Sequence, residues 1–202
     1  MEALLLALTT GWASGVNAYA TVLVTGLLGR YAGFDAVPDG LQRTDVLIAA
    51  GVMFALEFVA DKVPYLDSLW DAIHTIIRPV VGAIVAGLVG GNSGDLANAV
   101  YAATGGVTAL ASHGVKASLR MAINTSPEPI TNITASFAED VSVAGVLTLA
   151  VAHPLAAAII AMVLLVTGTT AVVLLVRKVR RYVRERRARR RANAQWLKGQ
   201  VD

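Results

Sequence analysis

Apolar residues along the 202-residue chain gather in long runs instead of alternating with polar ones, among them Val46–Ala60, Val80–Val89, Val141–Val151 and Leu155–Val176. As a helix rising about 1.5 Å per residue, the last run crosses a bilayer core of roughly 30 Å. Six helical segments account for the whole pattern, at about 2–30, 44–61, 66–90, 95–124, 131–152 and 154–179. The fold class predicted is therefore all-α, a polytopic membrane protein of about six spans.

Only the second and sixth segments are clean. The first is interrupted by Thr9-Thr10-Gly11 and by Ser14-Gly15-Val16-Asn17, the fourth by Thr104-Gly105-Gly106 and by Ser112-His113-Gly114-Val115-Lys116. Broken first and fourth helices are expected, and a break at membrane depth needs protein or a watery cavity to satisfy the freed backbone groups. Pro79 in the third segment, preceded by His74 and Arg78, predicts that Leu69–Arg78 forms a separate amphipathic or re-entrant piece. Turn compositions place linkers at Tyr31–Arg43, Gly90–Asp95 and Asn124–Asn132.

The two halves echo each other three times in the same order. Ala13-Ser14-Gly15-Val16-Asn17-Ala18 matches Ala111-Ser112-His113-Gly114-Val115-Lys116-Ala117 with one insertion, Phe54-Ala55-Leu56-Glu57 matches Phe137-Ala138-Glu139, and the stretch from Arg78-Pro79 matches the stretch from His153-Pro154. With three spans per half, the second copy enters the membrane in the opposite sense, which predicts an inverted repeat with a site near the midplane. The organisation expected is a first repeat over 1–94, a second over 95–179 and a tail over 180–202.

Charge sets the orientation. Eleven of the seventeen Lys and Arg residues lie from Arg177 onward, whereas twelve of the fourteen acids precede it. Cationic flanks stay in the cytoplasm, so both termini are expected on the cytoplasmic side of a bacterial plasma membrane. Glu2 ahead of the apolar run Ala3–Leu8 does not suit a cleaved signal peptide, and the N-terminus is expected to be retained in the fold. Arg180, Arg181, Arg184 and Arg187 are candidates to bind anionic lipid headgroups; nucleic acid is not the expected partner. Gly- and Ala-rich spans suit close helix contacts and a homodimer.

Ionisable groups inside spans cost roughly 2.5–3.5 kcal/mol each on insertion scales, so each asks for a reason. Glu57 and Glu139 sit in repeat-equivalent, mid-span positions, with Arg78 and Arg120 as candidate counter-charges. Asn17 and Lys116, equivalent and just after a glycine, are candidates to line a break that holds an ion or small anionic group. Asp61, Lys62 and Asp71 are expected at an interface, touching water. With no cysteine and no Ser-His-Asp order, phosphate loop or HExxH signature, no catalytic residue, cofactor or metal site is assigned, and no enzyme is expected.

Gly11-Trp12-Ala13-Ser14-Gly15-Val16-Asn17-Ala18-Tyr19, Glu57-Phe58-Val59-Ala60-Asp61-Lys62-Val63-Pro64, Asp67-Ser68-Leu69-Trp70-Asp71 and His74-Thr75-Ile76-Ile77-Arg78-Pro79 carry a resemblance. Over most of the chain up to about residue 170, it resembles a family of small bacterial integral membrane proteins catalogued as a domain of unknown function. The resemblance implies a membrane location and no particular activity. The functional expectation is a small transporter or channel-like protein moving a small solute, ion or lipid-linked anion; the alternative is a non-transporting scaffold or accessory subunit.

Overall fold

The computed structural model describes residues 1–63, 65–91, 93–124 and 129–198, with side chains up to Arg189 apart from Pro129. Pro127, within the predicted 124–132 linker, and the side chains of Arg190 and Arg191 lie outside the described residues. The described chain is all-α: α1 (Glu2–Val16), α2 (Ala18–Ala32), α3 (Asp39–Gln42), α4 (Thr44–Ala60), α5 (Leu66–Val89), α6 (Asp95–Asn124), α7 (Pro129–Ala152) and α8 (Pro154–Lys198). Two compact units divide it, Met1–Val166 and the stretch from Thr167 onward. Three helical stretches, Leu66–Val89, Ile130–Ala152 and Pro154–Arg189, are long and apolar enough to cross a membrane.

In the first unit, α1, α5 and α6 pack together closely and α2 lies against α4 and α7. Polar residues in α1 do not prevent its burial, because Thr9 and Thr10 hydroxyls donate to the Leu5 and Leu6 carbonyls one turn back, at 2.8 and 2.7 Å. Backbones approach where glycines face one another: a Cβ on Gly105 would strike Ala86 Cβ and the Gly82 carbonyl, and one on Gly15 would strike Ser112 and the Ala109 carbonyl. Beside this contact, Leu6, Trp12, Val85, Val89, Val143, Leu147, Ala157 and Ala161 share one apolar core.

In the first segment the break predicted near Asn17 is present, whereas α1 runs unbroken through Thr9-Thr10-Gly11, and the fourth segment has no break. Asn17 is extended (φ −150°, ψ 105°) and separates α1 from α2, its side-chain oxygen accepting from Ala20 N at 2.8 Å as the N-cap of α2. The fourth segment is one unbroken helix, α6, of 30 residues. Gly105 and Gly106 meet α1 and α5 instead of ending the helix, lying under Gly82, Ala83 and Ala86, while Gly114 faces open space within the unbroken helix. Pro79 likewise sits inside the continuous α5, so Leu69–Arg78 is not a separate piece. His153-Pro154 does mark a boundary, between α7 and α8.

On α5 the usual amphipathic arrangement is inverted. Leu69, Ile73, Ile76, Val80, Ile84 and Leu88 are exposed, while Asp67, Asp71, His74 and Arg78 are buried. In water that exchange would be ruinous; against hydrocarbon it is the arrangement that burial favours, since lipid accepts the apolar face and the protein interior satisfies the polar one.

The second unit continues α8, whose Arg177–Arg189 stretch is exposed throughout. Arg181 pairs with Glu185 one turn on at 3.0 Å, and the Arg186 guanidinium lies 5.7 Å from the Tyr182 ring.

Candidate functional site

The inward faces of α4, α5, α6 and α7 carry their charges to one place beside the α1–α2 break. On α5 the spacing 67, 71, 74, 78 puts Asp67, Asp71, His74 and Arg78 on a single face, and on α6 the spacing 112, 113, 116, 120 does the same for Ser112, His113, Lys116 and Arg120. These two faces meet, and the charges interlock.

Arg78, fully buried, holds three side chains. Its Nη2 donates to Glu57 Oε1 at 2.7 Å, and Nη1 lies 2.7 Å from His113 Nδ1 and 3.0 Å from Asp71 Oδ1. A guanidinium only donates, so His113 Nδ1 accepts; the proton of the neutral ring then sits on Nε2, facing the Thr75 hydroxyl at 3.1 Å, while that hydroxyl donates to the Asp71 carbonyl. His74 is stacked on Trp70, its Nδ1 2.7 Å from the Trp70 carbonyl and its Nε2 3.0 Å from the Tyr19 hydroxyl.

Lys116 occupies the middle. Its ammonium contacts Asp61 Oδ2 at 2.6 Å and lies 3.8 Å from Glu57 and 3.4 Å from Glu139, so one cation bridges these two acids. It also donates to the Val16 carbonyl at 3.0 Å, a group left free because α1 stops there. Arg120 grips Glu139 through two parallel bonds of 3.2 and 2.7 Å, and its Nη1 donates to the Asp61 carbonyl and to Asn132 Oδ1. Asn17 donates to Asp140 Oδ1 at 3.0 Å, and Asn124 donates to Asp67 Oδ1 at 2.7 Å.

Of the six residues picked out as a binding set, Glu57, Arg78, Lys116, Arg120 and Glu139 thus lie in one ionic network, while Asn17 stands beside it, bonded to Asp140. Asp61 and Asp71 correct the sequence reading: they are 2% and 4% exposed, not at a watery interface. They fall near helix ends, but their side chains turn inward to Lys116 and Arg78. Lys62 is half-buried, donating to the Phe58 carbonyl and facing Ser136. His113, Asp67, Asp140, Asn132 and Tyr19 went unassigned; the i, i+4, i+7, i+11 spacing of Asp67, Asp71, His74 and Arg78 was the signal that could have drawn the α5 face together.

The helices and the buried charges define a helical protein with three stretches long and apolar enough to cross a membrane and an ionic network buried among its helices. Residues 4–175 match the family described as a domain of unknown function, DUF4126, and the chain belongs to it. No curated protein and no solved structure matches the chain.

Proposed function

We propose that the protein is a small transporter or channel-like protein of the bacterial plasma membrane, moving a small solute, ion or lipid-linked anion between two inverted three-span halves, with both termini in the cytoplasm. The observation that carries this reading is Lys116: a buried cation that touches the free carbonyl of a helix break and bridges acids from both halves of the chain. Interrupted helices that leave carbonyls to mobile cationic groups are the usual build of transport sites, and ionic groups at membrane depth are kept for function more often than for stability. Purified protein in liposomes should give flux of at least one solute from a panel of cations, small anions and lipids. Glu139→Gln, at a side chain 22% exposed and therefore cheap to alter, should reduce that flux without loss of folded protein.

A static scaffold is the second reading, favoured by the glycine-to-backbone contacts that lock α1, α5 and α6. It predicts no flux across the whole panel together with stable co-purification of another protein.

A further inference from the structure

Charge does not balance inside the network. Five carboxylates, Glu57, Asp61, Asp67, Asp71 and Glu139, face three cations, Arg78, Lys116 and Arg120. Adding Asp140 and Lys62 at its edge leaves the difference at two. His113 supplies no positive charge, because Arg78 donates to its Nδ1. A charged His74, whose Nδ1 donates to Trp70 and whose Nε2 would then donate to Tyr19, still leaves one negative charge uncancelled. Four of the five acids have side chains no more than 5% exposed, where an unmatched charge is far costlier than at a surface.

A second observation says where the excess falls. Buried oxygens that accept no hydrogen bond among the described residues occur at Glu57 Oε2, Asp61 Oδ1, Asp67 Oδ2 and both oxygens of Asp71. Among the described residues Asp71 is the one acid in the network with no donor on either oxygen; Arg78 Nη1, 3.0 Å away, gives its two N–H groups to His113 Nδ1 and the Gly15 carbonyl. The groups bearing on Asp71 include Asp61 after α4, Asp67 and Arg78 of α5, Lys116 of α6 and Glu139 of α7, of which only Arg78 and Lys116 are cations. With Asp140 Oδ2 at the edge, the bare carboxylate oxygens are spread over five side chains, and no three His, Asp or Glu groups among the described residues are grouped to hold a metal ion. A bound cation would need them gathered; protons do not.

We propose that the buried network binds protons at neutral pH, with Asp71 present as a neutral carboxylic acid, and that the proton is the ion coupled to movement through this site. Coupling rests on the transport reading; protonation does not. Binding is a simple transfer: a proton joins one Asp71 oxygen, cancelling its charge, and leaves to water when the network opens.

Infrared spectra of the full chain in lipid nanodiscs at neutral pH test it. The expected result is a carboxylic acid C=O band that shifts in deuterated water, shifts again when aspartate is labelled with carbon-13 at the side-chain carboxyl, is unchanged when sodium is replaced by choline, and is lost in Asp71→Asn. Absence of the band, a band that ignores aspartate labelling, or a band present only without sodium would overturn the proposal. The labelling requires no variant, so misfolding of Asp71→Asn would leave the test intact. Retention of the band without flux in liposomes would sink the transport reading alone.

Discussion

The α5–α6 pair is built in two ways along its length. Toward the Val89 and Asp95 ends, Gly82, Ala86 and Gly105 bring backbone against backbone; toward the Leu66 and Asn124 ends, the same helices face each other with Asp71, Arg78, His113 and Arg120. Close contact needs nothing but small size, and it tolerates no growth. The ionic end needs its cations, because removal of one leaves a buried carboxylate alone. One pair of helices therefore has a shape-sensitive end and a charge-sensitive end.

Arg78→Met should do the most damage, leaving buried Glu57 without the guanidinium that holds it, at a cost of about 3–5 kcal/mol; thermal unfolding in detergent would read it, and an unchanged transition would mean the pairing is not structural. Gly105→Val should cost about 1–3 kcal/mol by overpacking, and a matched gain in volume at the open position Gly114 should cost much less, separating shape from propensity. Asn17→Ala removes a helix cap and the tie to Asp140, a loss of about 0.5–2 kcal/mol. Smallest for the body is removal of residues 180–191: its unfolding should not move, while binding to vesicles of anionic lipid should weaken by up to about 1 kcal/mol per cation near the surface. Loss of the folded body there would show that the tail is internal structure.

Much of the architecture was legible because hydropathy runs and turn residues report directly on helix limits: predicted segments at 44–61, 66–90 and 95–124 end within a residue or so of α4, α5 and α6. Glycine misled where it did two different jobs. Near Gly15 the helix does end, and the residue that ends it is Asn17, able to cap the next one; at Gly105 and Gly114 no such cap follows, and α6 continues. Glu57, Arg78, Lys116, Arg120 and Glu139 stood out because ionisable groups in apolar surroundings are conspicuous, and Asn17 because it follows a glycine in an apolar run. Asp61 and Asp71 were misplaced because position along a helix says nothing of rotation about it, and only partners on other helices reveal that these acids face inward.

The break at Asn17 has a mechanical side. Two dihedral angles of one extended residue join two rigid rods, and α2, with 15 residues, is an arm of roughly 22 Å. A turn of about 10° at that joint would sweep the far end of α2 through about 4 Å, enough to trade one side-chain contact for the next. The joint is gripped from both sides, by Lys116 on the last carbonyl of α1 and by Asp140 on the Asn17 amide. A gain or loss of one charge beside those grips would act on the two contacts that hold the joint, and so on the end of an arm some twenty ångströms long.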